Sequence, residues 1–181
     1  MRVIAGEFRS RRLLSLPGLD TRPTPDRLRE TLFNILAPMI EGATFVDAYA
    51  GTGSVGIEAI SRGAKLAVFI EKDREAVDLI KANLHSLGIR SQGRIIRGMA
   101  ALHLASVVSG TGADIVFIDP PYPKDEEYRT AFDALSAKPP SLTVVQHSVR
   151  YAIQDEYESL VRTRTVRQGD NALSFFKPLP D

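Results

Sequence analysis

From Thr44 onward, short apolar runs alternate with amphipathic stretches, and this alternation restricts the possible folds more than any other feature. TFVDAYA, LAVFIE, RIIRG, ADIVFID and LTVVQHS read as strands bounded by turn residues. Residues 54–61, 73–87, 100–108 and 125–137 between them carry apolar side chains at helical spacing. Successive parallel strands need crossover helices, so the pattern predicts an α/β fold with a mostly parallel sheet and helices on both faces. VRTRTVRQGDNALSFFKP adds two strands around a Gly-Asp-Asn turn, an antiparallel hairpin at the sheet edge. Seven strands are expected in all.

Upstream, residues 2–16 read as a β-hairpin or extended arm with Gly6 near the bend. PGLDTRPTPD is a Pro/Gly-rich connector. It leads into a helix in which Thr24 can cap, Pro25 suits the first position, and Pro38 marks the approximate end. With 181 residues, one domain is expected: a basic arm and loop over 1–24 and a catalytic core over 25–181. Net charge is only +1, yet residues 1–12 carry +3 through Arg2, Arg9, Arg11 and Arg12 against Glu7. Such an arm can track phosphates. No apolar run reaches the roughly 18 residues of a membrane span, and residues 1–12 hold no apolar segment of signal-peptide length. A cytoplasmic monomer without membrane contact is expected. Cysteine is absent, and His85, His103 and His147 lack partners at ligand spacing, so no metal is expected.

Ligands of such sheets bind at the carboxyl ends of the strands, at the switch point. There the chain reads Asp47-Ala-Tyr-Ala-Gly51-Thr-Gly53-Ser-Val-Gly56, with Glu71 ending the next strand. This is formally the dinucleotide fingerprint, and a nicotinamide-dependent oxidoreductase satisfies it. Asp47 points elsewhere. A carboxylate there suits a cofactor with a cationic amino-acid tail, such as S-adenosyl-L-methionine, and disfavours a pyrophosphate.

The fourth strand delivers Asp119-Pro120-Pro121-Tyr122 to the same edge. Two prolines remove two N–H donors and leave carbonyl oxygens free to accept. The exocyclic amine of a base is a poor nucleophile that needs acceptors. Asp119 and the Pro120 carbonyl can orient its protons and stabilise the charge that develops on nitrogen. Tyr122 offers a face on which an extruded base can stack.

Together these residues resemble class I methyltransferases that act on amino groups of bases. RVIAGEFRSRRL, TRPTPDRLRETLFNIL and the closing RQGDNALSFFKP are similar to the RsmD-type family of 16S ribosomal RNA guanine-N2 methyltransferases, across nearly the whole chain. The resemblance implies a Rossmann-like seven-stranded sheet with a small N-terminal extension. It also implies a guanine of 16S rRNA as substrate, presented within an assembling small ribosomal subunit. Arg22, Pro23 and Thr24 would lie over the cofactor. Asp47, Ala48, Tyr49, Gly51, Thr52 and Gly53 would hold its methionine part. Glu71 and Lys72 would meet the ribose, and Met99 and Ala100 the adenine. Asp119, Pro120, Pro121 and Tyr122 would carry the base, while Arg2, Arg9, Arg11, Arg12 and Arg22 hold the RNA backbone. The chain departs from the family at Ala5-Gly6, at Ser10-Arg11, and at Gly98-Met99-Ala100-Ala101, where the family tends to have an acid.

Other readings remain open at this level: adenine-N6 methylation of DNA or RNA, the oxidoreductase, and a non-catalytic RNA-binding module. Arg27 and Arg29 either contact phosphate or pair with Asp26 and Glu30 on a solvated face. Asn34 either touches a ligand or packs.

Overall fold

A computed structural model describes residues 1–15, 24–121 and 125–180. The predicted alternation is present. In chain order the elements are α1 (Asp26–Ile40), β1 (Thr44–Asp47), α2 (Ser54–Ser61), β2 (Leu66–Glu71) and α3 (Arg74–Ser86). They continue as β3 (Gly93–Arg97), α4 (Ala100–Thr111), β4 (Ile115–Ile118), α5 (Asp125–Ser136) and β5 (Leu142–Ser148). The carboxyl-terminal part supplies β6 (Glu156–Tyr157), β7 (Leu160–Gln168) and β8 (Asn171–Pro178). The sheet has eight strands in the order β3-β2-β1-β4-β5-β8-β7-β6. The expected seven are joined by β6, a two-residue edge strand too short to show a period in the sequence. Strands β1 to β5 are parallel, and β8 and β7 add antiparallel to β5.

Both sheet faces are covered, which explains why the parallel strands read as continuous apolar runs. On one face α1 packs Leu32, Phe33 and Leu36 against Phe45, Phe117 and Phe175, while α2 and α3 cover β2 through Ile57, Ile60, Ile80 and Leu84. On the other, α4 and α5 press Leu104, Val108, Phe132 and Leu135 against Val68, Val116 and Val145. The order of strand addition reverses between the parallel neighbours β1 and β4, so their carboxyl ends open a crevice at the switch point.

Two details of α1 differ from expectation. Pro25 occupies the N-cap, its carbonyl accepting from the N–H groups of Leu28 and Arg29 at 2.9 Å each, and no side chain caps. The Thr24 hydroxyl turns to Gln146 Oε1 instead, at 3.1 Å. The helix also runs through Pro38 to Ile40, since a proline in the last turn removes only one helical bond.

Residues 1–15 form a hairpin-like loop closed by a single bridge, Arg2 opposite Arg12, in place of a ladder. Its stability comes from docking. Val3 and Leu13 are buried among the side chains of α2 and α3. Glu58, fully buried on α2, accepts from Ile4 N–H at 2.8 Å and Ala5 N–H at 3.0 Å. Asn83 on α3 pairs with both backbone groups of Leu14, at 2.7 and 3.2 Å. Gly6 has φ +81°, and a Cβ there would sit 1.8 Å from the Ser61 carbonyl oxygen. Arg29 corrects the solvated-face reading: it is fully buried. It meets Asp26 at 3.0 Å and Glu58 at 3.8 Å, and donates to the Arg2 carbonyl at 2.6 Å. Asn34 is exposed on α1.

Candidate active site

The crevice is a cavity of about 620 Å³ over the carboxyl ends of β1, β2, β4 and β5. Its floor begins where β1 ends. Asp47, Ala48, Tyr49, Gly51 and Thr52 line it in sequence. Gly51 and Gly53 take left-handed φ values of 51° and 78°, which lets the loop turn at once into α2. Gly53 itself does not line the cavity. Gly56 serves packing: a Cβ there would lie 2.3 Å from the Phe69 ring, so only glycine lets α2 rest on β2.

Glu71 braces this loop. One carboxylate oxygen accepts from Gly51 N–H at 2.8 Å and the other from Asp73 N–H at 2.9 Å. A carboxylate offers about four acceptor sites, so each oxygen retains capacity for a ligand hydroxyl. Lys72 is exposed at the rim. Beyond β3 the wall is formed by Gly98, Met99 and Ala100, with the Met99 side chain exposed.

Two acids dominate the electrostatics. Asp47 is 1% exposed, and neither of its oxygens has a hydrogen-bond partner. Burial, and after it the Glu71 carboxylate, push its pKa up to about 7. The N–H groups of Gly56 and Tyr49 face it and offset only part of this. Asp119 directly follows the last residue of β4 and is partly open to the cavity. Desolvation pushes it up to about 8, the Asp47 charge adds to the shift, and the neighbouring Thr24 hydroxyl opposes it. A buried, unpartnered carboxylate beside a second raised one is a costly arrangement in isolation, and a cationic donor relieves it. That donor set fits an ammonium or sulfonium group and would repel a pyrophosphate.

Pro120 and Pro121 follow Asp119 along the wall. Tyr122, Arg22 and Pro23 lie outside the described residues. The structure therefore brings together Thr24, the β1 loop, Glu71, Lys72, Met99, Ala100, Asp119 and both prolines. The arm arginines Arg2, Arg9, Arg11 and Arg12 are exposed, away from this cavity.

Three polar wall residues from segments outside the predicted motifs escaped sequence reasoning. Glu127 on α5 accepts from the Tyr49 hydroxyl at 3.0 Å, and burial together with this acid raises the phenol's pKa. Gln146 near the end of β5 is buried and holds Thr24. A lone glutamine in the apolar run LTVVQHS was the available signal. Asn171 read as part of a turn, and nothing in the sequence distinguished it. Among the described residues no group of three or more His, Asp or Glu side chains gathers to hold a metal, and no helix is long and apolar enough to cross a membrane.

The family model described as Conserved hypothetical protein 95 matches residues 1–177. A putative rRNA methyltransferase of Bacillus subtilis, YlbH, is 32% identical over 98% of both chains. Ribosomal RNA small subunit methyltransferase D of Escherichia coli is 44% identical over 124 residues, covering 67% of this chain and 60% of that protein. Among solved structures, the putative methyltransferase yhhF of Escherichia coli superposes with a TM-score of 0.82 at 32% identity, covering 98% of this chain and 97% of that one. With a match across nearly its full length, and with the glycine loop and Asp-Pro-Pro segment on one cavity, this chain belongs to the RsmD-type, Conserved hypothetical protein 95 family of methyltransferases.

Proposed function

We propose that this chain transfers a methyl group from S-adenosyl-L-methionine to the exocyclic N2 amine of a guanine in 16S ribosomal RNA, in the cytoplasm, on an assembling small subunit. The observation that carries the reading is the pair of acids at the switch point: Asp47 buried without a partner, and Asp119 raised beside it. The relatives support the substrate class, since they are named as rRNA and small-subunit rRNA methyltransferases.

When bound, S-adenosylmethionine supplies a methyl carbon on a cationic sulfur, which takes back the C–S bond electrons as the N–C bond forms. Asp47 holds the ammonium of the methionine part, and Glu71 receives ribose hydroxyls on its remaining lone pairs. Met99 and Ala100 close on the adenine by apolar contact, replacing the acid other members tend to have. Asp119 and the Pro120 carbonyl accept the two amine hydrogens, hold the nitrogen in line, and stabilise its growing positive charge. After transfer the nitrogen sheds one proton, which Asp119, with its raised pKa, is suited to receive and pass to water. Tyr122 stacks on the base.

Calorimetric titration with S-adenosylmethionine and, separately, NADH tests the cofactor, and methyl incorporation into unmodified small-subunit particles tests the substrate. Binding of the first alone, with methyl label recovered as N2-methylguanine, is the expected result. Binding of NADH alone would overturn the reading, and label recovered as N6-methyladenine would overturn the choice of base.

A further inference from the structure

A second concavity of about 710 Å³ runs along the α5 side of the carboxyl-terminal hairpin. Arg150, Arg162, Arg164 and Arg167 line it, together with Thr163 and Thr165 of β7, and no acidic residue does among those described. Arg150, Arg164 and Arg167 are exposed. Arg162 is anchored by an ion pair with Asp155 and by the Ile153 carbonyl at 3.4 Å. The methyl-transfer reading uses none of these residues.

Local structure gathers these cations. The register of β7 against β8 shifts between Arg162 and Arg164, so an extra residue, Thr163, enters the strand. The shift brings Arg162, opposite Phe176, onto the same sheet face as Thr165 and Arg167, opposite Ser174 and Ala172, while Arg164, opposite Phe175, borders the groove at the bulge. The floor is polar and tied down: Thr165 meets the Ser174 hydroxyl at 3.0 Å, and that hydroxyl meets His147 Nε2 at 2.8 Å. Burial lowers the His147 pKa, and the positive charges of Arg162 and Arg167 lower it further. A neutral imidazole under exposed guanidinium groups makes a rigid base for an anionic ligand.

The groove adjoins the active site. Gln146 and Asn171 line the catalytic cavity, and the next residues, His147 and Ala172, line the groove. His147 and Ala172 face each other in the β5–β8 register. The docked arm, with Arg2, Arg9, Arg11 and Arg12, lies over α2, α3 and β2. The two basic surfaces therefore flank the cavity from opposite ends of the sheet.

We infer that the Arg150–Arg162–Arg164–Arg167 groove is an RNA-backbone track, holding the phosphates of the strand that continues past the base in the cavity. This rests on the proposed rRNA substrate. Four arginines on a polar sheet face beside a base pocket, with Arg162 tied to Asp155 and the other three exposed, suit single-stranded backbone.

The test compares the parent with Arg164→Gln/Arg167→Gln and, separately, with Arg150→Gln on the loop after β5. S-adenosylmethionine affinity, binding of a small-subunit RNA fragment against salt, and KM for unmodified particles are measured on each. The double variant is expected to keep its cofactor affinity and weaken RNA binding roughly tenfold at 100 mM salt, with the slope of log K against log salt smaller by about 1–1.5. A several-fold rise in KM should accompany this, and Arg150→Gln should move all RNA readouts in the same direction by less. A parent that binds and methylates RNA alongside variants with unchanged RNA affinity and slope would remove the groove from the interface. Naked-RNA affinity held constant while KM for particles rises would assign the groove to an acidic protein of the particle and overturn the RNA track. A parent that binds cofactor but neither binds nor methylates small-subunit RNA would overturn the underlying substrate reading, and the track with it.

Discussion

Asp119 and Asp47, at the ends of the adjacent parallel strands β4 and β1, share one desolvated corner, and the charge of Asp47 helps hold the Asp119 pKa near 8. Both folded-state values, about 7 and about 8, lie above the ordinary 3.8. The empty protein therefore binds more protons than its unfolded chain between these limits. Its stability should fall as pH rises from about 4 to about 8, by linkage. A cationic ligand favours the ionised pair, so S-adenosylmethionine should bind more tightly as pH rises from 6 to 8.5, with proton release. Calorimetry in buffers of different ionisation enthalpy reads this directly. Asp47→Asn should weaken binding by about 10- to 100-fold, the range of a hydrogen bond to a charged group, and flatten the pH profile. A pH-independent Kd with no proton release would contradict the assignment.

Asp119→Ala should reduce kcat by at least about 10²–10³, the usual cost of losing a donor or acceptor aimed at developing charge. Cofactor binding should stay measurable, because Asp47 and Glu71 remain. Single-turnover methylation of particles checks this, and unchanged turnover would remove Asp119 from the chemistry.

Glu58 holds two backbone N–H groups of the arm, Arg62 at 2.8 Å and the buried Arg29. Glu58→Ala leaves Arg29 short of a buried counter-charge and should cost about 3–5 kcal/mol in urea unfolding. The freed arm should also become sensitive to trypsin at Arg9, Arg11 and Arg12. A loss within 0.5 kcal/mol with the arm still protected would show that apolar burial of Val3 and Leu13 alone docks it.

Replacing Arg9, Arg11 and Arg12 together by Ala should weaken RNA binding and lower the salt slope by about 2. The cost to folding should be small, since all three are exposed and only the solvated Arg11 bond to the Ser86 carbonyl is lost. An unaltered slope, read by titration at several salt concentrations, would take the arm out of the RNA interface.

The parallel core was legible because β1, β2, β4 and β5 are largely apolar runs and α1, α3 and α5 each keep one apolar stripe. The glycine loop, Glu71 and Asp119 were legible because their chemistry is local: four residues of spacing and a strand end define them. What the sequence hid depends on distant partners. Arg29 looks like one of several arginines on α1 until the arm returns across it. Glu58, an acid within the wholly buried SVGIEAIS segment, was a signal that went unread. Glu127 enters the cavity only because α5 packs beside the loop after β1, which nothing in its own segment specifies, whereas Gln146 left one trace, a lone amide in an apolar strand. The bulge at Thr163 is a register event between two strands and has no signature in either alone.

The arm's anchors impose an order of assembly. Ile4 and Leu14 bond to side chains 54 and 69 positions further along, and Arg11 reaches a carbonyl 75 positions away. At about 5–20 residues per second of synthesis, some 3–15 seconds separate the birth of the arm from the birth of its dock. The basic arm thus stays without its full dock until Ser86, the last of these partners and the end of α3, has been made.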